Sequence, residues 1–216
     1  MDSINRLRER HPVNFSTLVA LVRNAGTDNL SHFGNGYVAE GGYSLQQNPD
    51  EFAALVVHLS AFNPRIFLEI GSASGGTARF LHEHLVFRRM LSIDDGTHHR
   101  YPEFAANTKG LPLTHFKGDS HSPAAQAWLA DAVGRGSRLV DVAFIDGDHS
   151  AAGVWQDVEL VRPYMRPDAR YIFHDTVACE GVKRAWERGS AEGLWTPLAE
   201  YVGAERPLGI GVGLSL

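Results

Sequence analysis

Three short stretches constrain this chain more than any other part of it: LEIGSASGGT at 68–77, FIDGDHS at 144–150 and FHDT at 173–176. The first is an apolar strand that runs into a glycine turn and then a helix. The other two end later apolar runs in the acids Asp146 and Asp175. In an open parallel sheet, ligands bind in the crevice beyond the carboxyl ends of the strands. We therefore expect the three stretches to meet at one crevice.

Apolar strand-like runs alternate with helical runs from residue 48 to about residue 190, which predicts βαβ units and a parallel sheet. The tail departs from this rhythm, because 195–202 and 209–216 are strand-like runs with a short connection and should pair antiparallel. Strands are predicted at 65–70, 89–93, 113–117, 139–145 and 169–173, and helices near 75–86, 101–109, 122–134, 151–165 and 180–190. The fold class is therefore α/β: a Rossmann-like, seven-stranded, mostly parallel sheet with helices on both faces and an antiparallel C-terminal strand.

The first 47 residues differ from the rest of the chain. Apolar residues at helical spacing predict a helix over 14–24, and residues 25–47 are rich in glycine and tyrosine. A loop of that length in a compact domain is often a lid or an oligomer contact. A flexible N-terminal arm is an equally good interpretation. We assign 1–47 to a helix with a glycine-rich lid or oligomerisation arm, and 48–216 to the ligand-binding domain.

Composition excludes several function classes. The net charge is −5 without a basic stripe, so we expect no nucleic acid partner. Cys179 is the only cysteine, which rules out an intrachain disulfide and fits a reducing cytoplasm. Cys179 is not part of a Cys/His/Asn arrangement of the kind that a cysteine nucleophile needs, so we do not expect it to be a nucleophile. The N-terminus lacks an apolar leader and no 18-residue apolar run occurs, so we expect a cytoplasmic protein that does not bind membranes.

The glycine turn has the spacing of a cofactor cradle. It reads G-x-x-x-G-G from Gly71, with Ala73 where a dinucleotide-binding turn needs its second glycine. Asp94 and Asp95 end the next predicted strand, at the distance where an acid reaches ribose hydroxyls in nucleotide-binding folds. We expect Asp94 to accept hydrogen bonds from both ribose hydroxyls. Asp119 follows the third strand, where it would meet an adenine edge.

The pattern Glu69-x-Gly71-x-x-x-Gly75, with acids after the second and third strands, resembles the class I S-adenosylmethionine-dependent methyltransferases. The resemblance covers roughly 45–216 and includes the antiparallel tail. It implies that Glu69 helps to hold the methionine end of the cofactor and that the glycine turn passes beneath it. The cofactor contacts it predicts are Glu69, Gly71, Ser72, Gly75, Asp94, Asp95, Asp119 and Ser120.

Asp146, Asp148, His149, His174 and Asp175 form a dense set for two strand ends. Carboxylates suit Mg²⁺ or Mn²⁺, and such a cation lowers the pKa of a substrate hydroxyl. A neutral imidazole nearby can then accept the proton. We expect the dipole of the following helix to keep His149 neutral. Asp148 is better explained as a helix N-cap or first-turn acid.

D-G-D-H-S and F-H-D-T together resemble the bacterial group that includes metal-dependent macrolide-sugar O-methyltransferases and cephalosporin hydroxylase-like relatives. This resemblance implies that Asp146 and Asp175 hold Mg²⁺ and that His149 is the base. His174 stands where the sugar enzymes have an acid, and imidazole favours Mn²⁺, Fe²⁺ or Zn²⁺ over Mg²⁺. His174 is thus a metal ligand or a hydrogen-bond partner of the substrate.

The leading prediction is a methyltransferase that uses S-adenosylmethionine and a divalent cation, Mg²⁺ or Mn²⁺, to methylate a hydroxyl of a sugar or other small natural product. One alternative is a metal-free N- or O-methyltransferase with His149 as the base. Another is a cofactor-binding protein without transfer activity. A homo-oligomer formed through the N-terminal segment is a further expectation.

Overall fold

The computed structural model describes residues 12–26 and 42–216. Most of the predicted lid or oligomerisation arm lies at 27–41, outside the described residues, so its role stays a prediction. The helices are α1 (Pro12–Ala25), α2 (Pro49–Phe62), α3 (Gly76–Leu85), α4 (Phe104–Asn107), α5 (Pro123–Val133), α6 (Ala151–Val161) and α7 (Glu180–Ala191). The strands are β1 (Ile66–Ile70), β2 (Arg89–Asp94), β3 (Leu113–Lys117), β4 (Val140–Ile145), β5 (Met165–His174), β6 (Trp195–Tyr201) and β7 (Ile210–Ser215).

The strands form one seven-stranded sheet in the order β3-β2-β1-β4-β5-β7-β6. Strands β1 to β5 pair in parallel, and β7 pairs antiparallel with both β5 and β6. The predicted fold class and the antiparallel C-terminal strand are confirmed. Because the chain builds outward in opposite directions from β1, the strand order reverses between β1 and β4. That reversal opens a crevice at their carboxyl ends.

Helices cover both faces of the sheet, and successive residues of a central strand point into opposite layers. In β4, Val142 and Phe144 pack in the layer formed by α1, α2 and α3. Ala143 and Ile145 pack in the layer formed by α5, α6 and α7. Every residue of β4 is buried, which explains why its sequence is apolar except for Asp141, whose carboxylate accepts the backbone N–H groups of Arg65 and Ile66.

Helix α1 packs against α2, and its Phe15 and Val22 are buried in the core. The second helix begins as its sequence predicts: Asn48 is the N-cap, and its side chain accepts hydrogen bonds from the backbone N–H groups of Asp50 and Glu51. None of the helices in the described ranges is long and apolar enough to cross a membrane.

Two predicted helices are wrong in extent. The helix near 101–109 is a 3₁₀ turn followed by the four-residue α4, and the helix over 151–165 ends at Val161 before a second 3₁₀ turn. Pro102 and Pro163 lie in these turns, and proline lacks the N–H that continues an α-helix. Strand β5 starts at Met165 rather than 169, because Met165 pairs with Val140 before an irregularity in the ladder.

Candidate active site

A cavity of about 930 Å³ opens at the carboxyl ends of the strands around the β1–β4 reversal. All three motif stretches contribute to its wall, as predicted from their positions after strands. The predicted site residues that line the cavity are Gly71, Ser72, Asp94, Asp95, Asp119, Ser120, Asp146, His149, His174 and Asp175. Two predicted residues, Glu69 and Gly75, do not line it.

The turns after β1 and β4 touch each other at Gly71. This residue has a φ of +81°, and a Cβ placed on it would lie 2.0 Å from the backbone oxygen of Asp146. The Gly71 N–H donates to Ile93 O at 2.9 Å, and the Asp146 N–H donates to Ile70 O at 2.9 Å. No side chain fits at position 71, so glycine is required for the two strand ends to meet.

Asp94 fastens the glycine turn. Its Oδ2 accepts the backbone N–H groups of Ser72 at 2.7 Å and Ala73 at 2.8 Å, and its Oδ1 accepts the Gly96 N–H at 2.7 Å. A carboxylate has about four acceptor positions. With three in use, Asp94 keeps an acceptor position for a ribose hydroxyl, and its expected bonds to both hydroxyls stay a prediction.

Gly75 serves packing beside the cavity. It is the N-cap of α3 with a φ of +77°, and a Cβ there would lie 2.7 Å from the Thr108 side chain and 3.1 Å from the Phe104 ring. Its predicted contact with the cofactor stays a prediction, since the residue lies behind the cavity wall.

Glu69 is buried behind the glycine turn, and neither carboxyl oxygen has a hydrogen-bond partner among the described residues. Burial raises the pKa of Glu69 to about 8, and the charges of Asp146 and Asp94 add to the effect. The nearby Ser72 hydroxyl acts in the opposite direction, but it pairs with the Ser92 hydroxyl. Glu69 is therefore largely protonated at neutral pH, and its predicted role at the methionine end stays a prediction.

Two carboxylates alternate with two imidazoles at the ends of β4 and β5. His174 Nδ1 lies 3.0 Å from Asp146 Oδ1 and 3.4 Å from Asp175 Oδ1. His149 Nε2 lies 3.4 Å from Asp146 Oδ1 and 3.5 Å from Asp175 Oδ2. Each imidazole thus faces both carboxylates, and the four side chains form one charge-compensated cluster.

The cluster shifts the pKa values of its members strongly. Burial opposes ionisation of Asp146, but the attraction of His174 outweighs it and holds the pKa of Asp146 at about 2. Burial likewise opposes charge on His174, yet Asp146 holds its pKa well above the usual range. The hydrogen bond to Asp146 raises the pKa of His149. We expected the helix dipole to keep His149 neutral, but the hydrogen bond to Asp146 and the charges of Asp146 and Asp175 favour its charged form.

These residues fit a divalent cation. Asp146, His174 and Asp175 each offer a ligand atom within 4.8 Å of the others. The buried His174 Nε2 and Asp175 Oδ1 have no hydrogen-bond partner among the described residues, and such atoms are costly unless a ligand or water satisfies them. Two carboxylates and one imidazole suit Mn²⁺ or Fe²⁺ better than Mg²⁺.

Asp148 lies in the turn before α6 and is exposed. Its Oδ1 accepts the Ser150 N–H at 2.8 Å, whereas Ser150 is the N-cap of α6 and accepts the Gly153 N–H at 3.0 Å. Asp148 is thus a turn residue rather than the cap, and it does not belong to either group of metal-capable residues found in the described part of the chain.

The segment before α2 lines the cavity, which sequence reasoning missed. Ser44, Gln46 and Gln47 contribute to the wall, and the Ser74 hydroxyl of the glycine turn donates to Ser44 O at 2.9 Å. Asn107 also donates to the backbone of this segment. The polar pair Gln46-Gln47 directly before the N-cap of α2 is the sequence feature that could have indicated a contribution of this segment to the site.

A buried acid supports the loop between β3 and α5. Asp157 of α6 is fully buried, and its Oδ1 accepts the Ser120 hydroxyl at 2.7 Å and lies 3.1 Å from His121 Nε2. Burial raises the pKa of Asp157 to about 6. Ser120, predicted to bind cofactor, is thus occupied with positioning its own loop, and Asp119 is the more exposed neighbour.

A family model described as a methyltransferase domain matches residues 68–176, half of the chain and all three motif stretches. The chain belongs to this methyltransferase family. The family and enzyme class predicted from the glycine turn and the strand-end acids are therefore confirmed. A search of curated proteins gives no significant match.

Solved structures of other methyltransferases have the same fold. The O-methyltransferase TomG from Streptomyces achromogenes, in complex with SAM, superposes with a TM-score of 0.62 at 18% identity, covering 96% of this chain and 98% of that one. An O-methyltransferase from Bacillus cereus, in complex with SAH, superposes with a TM-score of 0.60 at 15% identity, and the match covers 99% of this chain and 97% of that one. The N-methyltransferase NodS from Bradyrhizobium japonicum superposes with a TM-score of 0.54 at 15% identity, and the match covers 92% of this chain and 98% of that one. The fold is therefore that of the class I methyltransferases, which serves both O- and N-methylation.

The titration of Glu69 should be visible in stability. Its folded pKa of about 8 lies above the ordinary value of 4.5, so the folded protein holds a proton that the unfolded chain releases in this range. The wild-type free energy of unfolding should therefore fall as pH rises between these values. Glu69→Gln removes this titration, so the free energy of unfolding of the variant should rise relative to that of wild type from about pH 5 to about pH 8. Urea unfolding of the cofactor-free protein measures this. Glu187→Gln is the control for the same substitution at an exposed position of α7. A constant difference between Glu69→Gln and wild type would contradict the burial argument.

Asp94 should be essential for cofactor affinity. Asp94→Ala removes the acceptor of the glycine-turn N–H groups and of a ribose hydroxyl, and each charge-assisted bond is worth roughly 1.5–3 kcal/mol. Calorimetry with S-adenosylhomocysteine should show affinity at least about tenfold weaker. Asp131→Ala, which removes an exposed acid of α5 that does not line the cavity, is the control. An unchanged dissociation constant in folded Asp94→Ala would remove Asp94 from the cofactor site.

Proposed function

We propose that this methyltransferase transfers the methyl group of S-adenosylmethionine to a hydroxyl of a small molecule, such as a sugar or a natural product, with the help of a divalent cation. The observation that carries this proposal is the cluster of Asp146, His149, His174 and Asp175 in the same cavity as the glycine turn. O-methylation needs a hydroxyl to be held and deprotonated, and this set of side chains supplies groups for both.

The glycine turn and Asp94 are the expected seat of the cofactor. S-adenosylmethionine supplies an electrophilic methyl group on its sulfonium sulfur. The turn between Gly71 and Gly75 presents backbone to the cavity, and Asp94 holds that backbone in place while keeping one acceptor position. A cavity of about 930 Å³ is at the upper end of the size of ligand pockets and has room for an acceptor beside the cofactor.

Asp146, His174 and Asp175 are the residues that would hold the cation. A divalent cation lowers the pKa of a hydroxyl beside it and fixes the position of the oxygen. His149 favours this assisted reaction over a metal-free one. The hydrogen bond to Asp146 and the charges of Asp146 and Asp175 raise the pKa of its imidazole, so a cation that neutralises these carboxylates would favour the proton-accepting form.

His149 is the residue best placed to accept the hydroxyl proton. Its Nε2 points toward Asp146 and Asp175, and 43% of its side chain is exposed, so the proton can leave to solvent. Holding the hydroxyl between this nitrogen and the cofactor contributes through proximity and orientation. The acceptor is expected to be a small molecule, because the residues face a cavity rather than an extended basic surface.

A metal requirement is the first test of this proposal. An acceptor is found by screening hydroxylated sugars and phenols for release of S-adenosylhomocysteine. Transfer to it should stop in EDTA and return with Mn²⁺ or Mg²⁺, with Mn²⁺ at least as effective because of the imidazole ligand. His174→Asp should shift the preference toward Mg²⁺ by making all three ligands carboxylates. Full activity in EDTA after exhaustive dialysis would instead favour metal-free transfer.

His149→Ala tests the base. General-base catalysis typically contributes on the order of 10²–10⁴-fold, so turnover should fall by that factor while affinity for S-adenosylhomocysteine stays near wild type. The acidic limb of the pH–rate profile should also disappear. The control Asp148→Asn alters the same turn but keeps an acceptor for the Ser150 N–H. If His149→Ala retains both turnover and the acidic limb, His149 is not the base and His174 is the next residue to test.

A further inference from the structure

Cys179 lies beside the catalytic cluster and has no role in the proposed reaction. Its Sγ is 3.6 Å from His149 Nδ1, whereas the other ring nitrogen, Nε2, is paired with Asp146 and Asp175. Cys179 is the N-cap residue of α7, yet its side chain makes no capping hydrogen bond. Cys179, His149 and Asp175 each offer a ligand atom within 4.8 Å of the others.

Two features of the backbone hold Cys179 in this place. Asp175 adopts a left-handed conformation with a φ of 65°, rare outside glycine, and its carbonyl accepts the Cys179 N–H at 2.9 Å. This turn returns the chain toward the strand end. On the next turn, a Cβ on Gly181 would lie 2.2 Å from His149 O, so the start of α7 packs directly on the backbone of His149. The approach of sulfur to imidazole is therefore built into the fold.

The three donors are those of a zinc-type site. Thiolate, imidazole and carboxylate all bind Zn²⁺ at about 2.0–2.3 Å, which places donors of a tetrahedral site roughly 3.3–3.6 Å apart. The Sγ–Nδ1 separation of 3.6 Å already matches this spacing. Three protein ligands leave a fourth position for water, and His149 is exposed enough for an ion to reach it. Mg²⁺ takes oxygen ligands and has no affinity for this set.

We propose that Cys179, His149 and Asp175 bind a thiophilic divalent cation of the zinc class, and that such a cation switches off methyl transfer. Binding converts the thiol to thiolate and releases its proton to solvent. A cation on Nδ1 leaves the imidazole proton on Nε2, so Nε2 cannot accept the substrate proton. Asp175 also belongs to the Asp146–His174–Asp175 set, so a zinc-type ion bound to Asp175 removes one ligand from the cation proposed to activate the substrate. The switching part of this inference rests on the proposed function, whereas the binding part does not.

Cobalt tests the binding without any assay of transfer. Co²⁺ added to the reduced protein should give a near-ultraviolet thiolate-to-cobalt charge-transfer band, and Zn²⁺ should abolish it. The band should be absent in Cys179→Ser, which keeps a good N-cap for α7. It should persist in Asp146→Asn, because Asp146 is outside the set. A wild-type protein without the band, or equal Zn²⁺ affinity in wild type and Cys179→Ser, overturns the site.

The switch is tested on the Mn²⁺-activated enzyme. A stoichiometric amount of Zn²⁺ should lower wild-type transfer at least about tenfold, while Cys179→Ser keeps its activity at the same Zn²⁺ concentration. Equal inhibition of both proteins overturns the switch and places the inhibitory ion on the Asp146–His174–Asp175 set. A cobalt band together with no transfer to any acceptor would leave the binding site established and count against the proposed function alone.

Discussion

The contact between Gly71 and the backbone of Asp146 is the constraint on which the rest of the site depends. It joins the turn after β1 to the turn after β4 at the point where the strand order reverses. Because no side chain intervenes, the glycine turn and the carboxylates that follow β4 open onto one cavity. A Cβ at this position would force one of the two strand ends away. The glycine turn and the carboxylates that follow β4 would then no longer line the same cavity.

Electrostatics divides the acids around this contact into different states. Glu69 is buried without a partner, which raises its pKa to about 8, so it is mostly neutral at pH 7. Asp146 is ionised because His174 and His149 compensate its charge. The neighbours account for the contrast, since Glu69 has no hydrogen-bond partner among the described residues whereas Asp146 faces two imidazoles. A cavity whose carboxylates stay ionised at the β4 and β5 ends is suited to a divalent cation, which would replace the charge compensation that the imidazoles provide.

The sequence predicted the parts of the molecule that local patterns control. Strand β4 could be found because burial on both faces favours a mostly apolar run, which only Asp141 interrupts. The acid that follows it could be placed because parallel strands end at one edge. Pro163 carried the signal for an early helix end, although the periodic pattern around it predicted a longer helix. The role of Asp94 in fastening the turn, the support from Asp157 and the fit of Gly181 against His149 were not predictable. Each depends on the distance between groups far apart in sequence, which only the folded structure sets.

The central claim is that cofactor and cation share one crevice across the β1–β4 reversal. Crystals grown with S-adenosylhomocysteine and Mn²⁺, with anomalous diffraction recorded at the manganese edge, test it most directly. The account predicts the cofactor over the glycine turn with its ribose at Asp94, and a manganese peak among Asp146, His174 and Asp175 in the same cavity. A cofactor bound away from Gly71, or a bound cofactor with the manganese peak elsewhere on the molecule, would contradict it.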